Sequence, residues 1–224
     1  MWKHIAKSFL LLTCLFVNTT KGANILALLP SPSSSHLIIE MAVVKELAVR
    51  NHNVTVVSVL PLKSEWLHPN MNYVHLDHGM FDMNAAINST KKSGLSLLLK
   101  AVSMFKNIIL SLAEILDDEK LLEIRNNPGN QYDLLLFGYI YGDFIFGLAE
   151  HFNCPVALLW PNVLISDILQ LTGNPLELTH SVSTMMNLTS NTRGFLFRFR
   201  NLLSYVVDAA FRVIRERTSK EVYE

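Results

Sequence analysis

Short runs of strand-forming residues alternate with helical patterns along this chain, and that alternation narrows the folds open to it. Residues 23–29, Ala-Asn-Ile-Leu-Ala-Leu-Leu, read as a buried strand that Pro30 and Pro32 stop. From Leu37 to Arg50, Ile38, Met41, Val44, Leu47 and Ala48 recur at helical spacing. Asn51 then stands where a helix end often requires positive φ, which asparagine tolerates. Further strands are predicted over residues 54–60, 73–76, 132–137 and 156–160, with a helix over about 142–152 between the last two. Residues 94–122 form one amphipathic helical region whose apolar face, including Ile109, Leu112 and Leu116, suits core packing ahead of a lipid or ligand surface. Strands joined by helices predict an α/β fold: a Rossmann-like, mostly parallel sheet with helices on both faces.

Ligands of open α/β sheets bind beyond the carboxyl ends of the strands. His36 falls there, in the stretch Pro30-Ser31-Pro32-Ser33-Ser34-Ser35-His36 and in the first turn of the helix that follows the first strand. The helix dipole at that position disfavours the imidazolium, so the histidine tends to the neutral form that a general base needs. Position alone also permits a capping or packing histidine. Dinucleotide binding is not expected, because prolines and serines occupy the turn where G-x-G-x-x-G would lie, and no Walker sequence occurs.

Lys plus Arg (19) equals Asp plus Glu (19), so no long-range field favours nucleic acid or an anionic membrane surface. Arg198, Arg200, Arg212, Arg215 and Arg217 are spaced along one C-terminal helical stretch and read as a solvated face. At the other end, Lys3, His4 and Lys7 precede the apolar run Phe9 to Val17, and small residues follow, so residues 1–22 read as a secretory signal peptide. That run is too short for a comfortable transmembrane span, and charges interrupt the later apolar stretches. Of two cysteines, Cys14 lies in the leader, leaving Cys154 as a free thiol, expected buried in an apolar strand, with no metal-ligand spacing to any histidine. Asn88-Ser89-Thr90 and Asn187-Leu188-Thr189 are glycosylation sequons suited to surface loops; Asn53-Val54-Thr55 opens a strand and suits modification less.

Asn24-Ile25-Leu26-Ala27-Leu28-Leu29-Pro30, Ser35-His36 and Leu47-Ala48-Val49-Arg50-Asn51-His52-Asn53-Val54-Thr55-Val56-Val57 together resemble the N-terminal half of the UDP-glycosyltransferases, the insect members especially. Asn51 stands where the family usually has glycine. Tyr132-Asp133-Leu134-Leu135-Leu136, Leu148 to Pro155 and Gly173-Asn174-Pro175 extend the resemblance over nearly the whole chain. The resemblance implies that residues 23–224 are the acceptor-binding half of a two-domain GT-B enzyme. In it, the histidine matching His36 takes the proton from the hydroxyl of a small lipophilic acceptor, which attacks the anomeric carbon of a UDP-sugar in one inverting displacement.

The family usually places an acid just after the Asp-Leu-Leu strand, at a position aligning with Gly138 here. Asp143 is the nearest remaining acid, matching a second aspartate of insect relatives or capping the next helix; Asp133 reads as structural. The UDP-sugar is a co-substrate whose site, by this resemblance, lies outside the 224 residues, as does the family's C-terminal membrane anchor; no cofactor or metal is implied. Transfer by these residues alone is therefore not expected. A non-catalytic lumenal binder of lipophilic molecules, or a partner that pairs with full-length relatives, is the alternative. The resemblance and the leader both point to the secretory pathway and the endoplasmic reticulum. Expression in a secretory system should yield a chain starting at or near Ala23 with glycans at Asn88 or Asn187, readable by intact-mass spectrometry; a cytosolic chain retaining Met1 would contradict this.

Overall fold

The computed structural model describes residues 22–77, 95–140, 142–162, 166–174 and 194–223. Residues 1–21 of the leader and both favoured sequons lie outside them.

Five parallel strands form one sheet in the order β3-β2-β1-β4-β5, with β1 at Asn24–Leu29, β2 at Asn53–Ser58, β3 at Met71–His75, β4 at Leu134–Gly138 and β5 at Val156–Leu159. The expected parallel α/β layer is thus present. Central strand β1 pairs Ile25 with both Val54 and Leu134, and Leu28 with both Val57 and Phe137. Its amino end is pinned by Asp133, whose carboxylate accepts the Asn24 N–H at 2.7 Å while its own N–H reaches Asn24 O at 2.8 Å.

Side chains alternate across the sheet and build two cores. Ile25, Ala27, Leu29, Val54, Val56 and Leu136 pack beneath helix α1 (Ser34–Val49). Leu26, Leu28, Val57, Leu135 and Phe137 face the opposite layer, made by α2 (Leu95–Leu116), α3 (Glu119–Asn126) and α4 (Phe146–Phe152). The region expected as one helix over 94–122 breaks at Asp117 and Asp118, because Asp118 caps α3 by accepting the Lys120 N–H at 2.9 Å. After β5 come α5 (Ser166–Leu171) and the long α6 (Phe195–Tyr223), which packs along α2. Cys154 is half-buried in the turn before β5 rather than within the strand, and burial pushes its thiol pKa up.

The inward stripe of α1 is Leu37, Glu40, Met41, Val44 and Ala48. Met41, Val44 and Ala48 are inside as expected, but Ile38 is 51% exposed, and the stripe takes in Leu37 and an acid in its place. The helix ends as a Schellman motif: Asn51 sits at φ +66°, its N–H bonds Ala48 O at 3.1 Å, and the His52 N–H bonds Leu47 O at 3.2 Å. Asn51→Gly should match or exceed the parent in urea unfolding. Asn51→Val should cost about 1–2 kcal/mol, since a branched residue resists the left-handed region; equal stability of both variants would contradict this account.

Candidate functional site

From β1 the chain crosses through α1 to β2 on one side, and from β4 it crosses through α4 to β5 on the other. The carboxyl ends of β1 and β4 are therefore a topological switch point, where the loops diverge and leave a crevice. His36 stands at this point, in the third residue of α1.

Pro30 and Pro32 carry no backbone N–H, so the chain leaves the sheet after Leu29. Ser31, held between them at 1% exposure, accepts the Ser33 N–H at 3.2 Å and lies 3.1 Å from His36 Nδ1. No side chain caps α1, so its first amide groups keep their full dipole beside the imidazole. Burial lowers the His36 pKa below the ordinary histidine value, and a hydrogen bond with Asn162, beyond the end of β5, opposes that in part. Asn162 could not be chosen from sequence, because the sheet order that brings it to His36 is not written there. Ser31 had a local signal, a hydroxyl trapped between two prolines.

Asp143 is placed differently. It opens a short 3-10 turn, Asp143–Ile145, after β4 and accepts the Tyr139 hydroxyl at 2.6 Å. Arg215 of α6 grips both carboxylate oxygens, at 2.9 and 2.8 Å, and also reaches the Tyr139 oxygen at 3.1 Å. No hydrogen bond joins Asp143 to His36 among the described residues. Arg215 is thus buried in an ion pair and does not belong to the solvated face expected of the C-terminal arginines. Among the described residues, no group of His, Cys, Asp and Glu is arranged to hold a metal, and no helix is long and apolar enough to cross a membrane.

Glu40, one helical turn beyond His36, is the residue that sequence reasoning missed. It is 1% exposed, neither carboxylate oxygen has a hydrogen-bond partner among the described residues, and burial pushes its pKa up to about 7. The signal was its place in the 37–41–44–48 row of α1. An open groove of about 450 Å³ near Arg125, Pro128, Gln131 and His151 lies at the opposite, amino edge of the sheet. The His151 ring there is already bonded to Arg125 O at 2.8 Å, and nothing of the His36 site reaches it.

The whole arrangement is an α/β unit with a histidine at its switch point, and sequence comparison agrees with the resemblance read from the residues. No protein-family model matches the chain. It is 26% identical to UDP-glycosyltransferase UGT4 of Dactylopius coccus over 197 residues, covering 88% of this chain and 38% of the relative. UDP-glucosyltransferase 2 of the same insect is 32% identical over 155 residues, covering 66% of this chain and 28% of the relative. An ecdysteroid UDP-glucosyltransferase of Lacanobia oleracea granulosis virus is 26% identical over 76% of this chain and 37% of its own length. Among solved structures, Arabidopsis thaliana UGT89C1 complexed with UDP-L-rhamnose is similar at TM-score 0.40 and 22% identity, covering 63% of this chain and 37% of that one. The chain is therefore similar to UDP-glycosyltransferases, insect ones among them, and spans about two-fifths of the length of the UGT4 and viral relatives.

Glu40 links folding to pH. Its folded pKa, about 7, exceeds the ordinary 4.5, so the folded chain holds a proton that the unfolded chain releases. The stability this confers is full below about pH 4.5 and is lost as pH rises through 7. In urea unfolding, wild type should fall behind Glu40→Gln by roughly 3 kcal/mol more at pH 8 than at pH 4.5. A difference independent of pH would mean that the carboxyl stays solvated.

Proposed function

We propose that the chain forms the acceptor side of a UDP-sugar transferase, with His36 as general base. The acceptor hydroxyl oxygen bonds to the anomeric carbon as the bond from that carbon to UDP breaks; UDP departs with the electron pair, and the hydroxyl proton passes to the imidazole. The observation that carries this reading is the placing of His36: first turn of an uncapped helix, at the switch point, with burial holding its pKa low. Sequence similarity to UDP-glycosyltransferases supports the reaction class.

Ser31 selects the tautomer in this reading. Its oxygen already accepts the Ser33 N–H, and its second lone pair takes the proton of His36 Nδ1, leaving the lone pair on Nε2 for the acceptor. Asn162 favours the imidazolium once it forms. Asp143 works as an anchor that ties the end of β4 to α6 through Arg215. The UDP-sugar is gripped by residues other than these, because the turn between β1 and α1 offers prolines and serines in place of a glycine-rich phosphate loop. Trp160, packed on Tyr139 at 6.0 Å between ring centroids, gives the carboxyl edge apolar surface for a small lipophilic acceptor. The leader directs this unit into the lumen of the secretory pathway.

The test joins this chain to the remaining length of the Dactylopius UGT4 relative and follows transfer from UDP-glucose to phenolic acceptors. His36→Ala should lower turnover by roughly a hundredfold or more with an unchanged circular dichroism spectrum. The rate should fall with pH only below the ordinary histidine range, since the base must be neutral and its pKa is depressed. Asp143→Asn should lower the melting temperature and spare the turnover of folded enzyme. An undiminished rate in the His36 variant removes the base from the reaction.

A further inference from the structure

Proton transfer by His36 leaves Glu40 without a role. Its carboxylate is sealed from solvent and bonded to nothing among the described residues, a costly state for an ionisable group. Leucine or methionine in the same row of α1 would pack there without that cost. No cap or ion pair depends on the acid.

Two features define its surroundings. Helical side chains lean toward the amino terminus, and residues four apart lie on one face with Cβ atoms about 5–6 Å apart, so Glu40 leans toward His36. The second feature is Gly138, the last residue of β4. A Cβ there would stand 2.6 Å from Glu40 Oε1, 2.9 Å from Cδ and 3.1 Å from Oε2. The carboxylate therefore fills a notch that only glycine leaves open, at the switch point that also holds His36.

We propose that Glu40 is the positioning acid of His36: seated in the notch at Gly138, one helical turn from the imidazole, its carboxylate stabilises the imidazolium formed when His36 takes up a proton. This rests on His36 being the base. Glu40 does not touch the reacting atoms, since its oxygens are closed off from the crevice. The proton from the acceptor stays on His36, and Glu40 contributes charge alone, in a site where low polarizability strengthens it. Burial leaves the resting carboxyl close to half-protonated at neutral pH, so the ion pair strengthens as the imidazolium appears and favours the transition state over the ground state. Among the described residues, the other charged side chains at this end of β4 are Asp143 and Arg215, which pair with each other. On α1 itself, Lys45, Glu46 and Arg50 lie on the exposed side.

The test reads the imidazole and not catalysis, so it can fail independently of the transferase reading. NMR titration of the chain, with no sugar or acceptor present, follows His36 in wild type, Glu40→Gln and Gly138→Ala. The wild-type His36 signal should carry a second inflection near pH 7 from the coupled carboxyl. Glu40→Gln should remove that inflection and lower the His36 midpoint by about one pH unit. Gly138→Ala keeps the acid but displaces it, and should lower the midpoint in the same sense by a smaller amount. The amide signals of Asn24 and Asn53, at the amino edge, should stay unchanged in both variants, which a general loosening of the fold would not allow. In the joined enzyme, Glu40→Gln should lower kcat roughly tenfold with KM unchanged, and Glu40→Asp should recover part of the loss. A His36 midpoint identical in all three chains overturns the proposal, whatever His36→Ala does to transfer. Should Glu40→Gln fail to fold, Gly138→Ala decides alone.

Discussion

The carboxyl edge of this molecule depends on β1 being held from both sides. Leu26 to Leu29 are completely buried, and the strand is hydrogen-bonded to β2 along one edge and β4 along the other. A strand so enclosed has no room for polar side chains, so polar groups collect where the chain escapes at Pro30. Register matters as much as burial. Slipping β1 against β4 by one residue would exchange the faces of every side chain and carry Gly138 out from under Glu40.

Much of this layer was legible in the amino-acid sequence. Apolar runs bounded by Pro30, Asn53 and Asp133 mark β1, β2 and β4 to within a residue or two, and Asn51 adopts the positive φ that its place after a helix suggests. The phase of α1 was not legible. Ile38 and Leu37 are neighbours of similar hydropathy, and the spacing of the apolar residues accommodates either as the inward one. Packing against β1 and β4 decides between them: Leu37 goes under, Ile38 goes out, and Glu40 is carried inside because Gly138 offers the space. An acid at that position reads as surface until the strand beneath it is known.

Arg215 was hidden for a different reason. It lies 72 residues from Asp143, and its own helix suggests a solvated basic stripe. In the fold, α6 buries the arginine and leaves Phe195 84% exposed, the reverse of what hydropathy favours. The guanidinium tolerates burial because its Nη1 lies against both carboxylate oxygens of Asp143 and the Tyr139 oxygen beside them, so its charge is paired. A pair of this kind is weak evidence for stability against an apolar alternative, yet removing one partner leaves the other buried and unpaired. It therefore fixes which turn of α6 meets the end of β4.

The two acids near the switch point are consequently not equivalent. Asp143 faces a cation that never gives up its charge, so its electrostatic environment is filled whatever happens at the imidazole. Glu40 faces no permanent cation among the described residues, and its burial leaves ionisation finely balanced near neutrality. Where two titratable groups are pushed in different directions by their surroundings, the one left near balance responds to a neighbouring proton. His36 is depressed by burial while Glu40 is raised by it, so burial pushes each toward its neutral form, and a proton arriving at the ring favours release of the one on the acid. Sequence order pointed to Asp143, the acid nearest the end of the strand. Under the role proposed for His36, packing points instead to Glu40, because only an acid without a fixed partner is free to change with the imidazole.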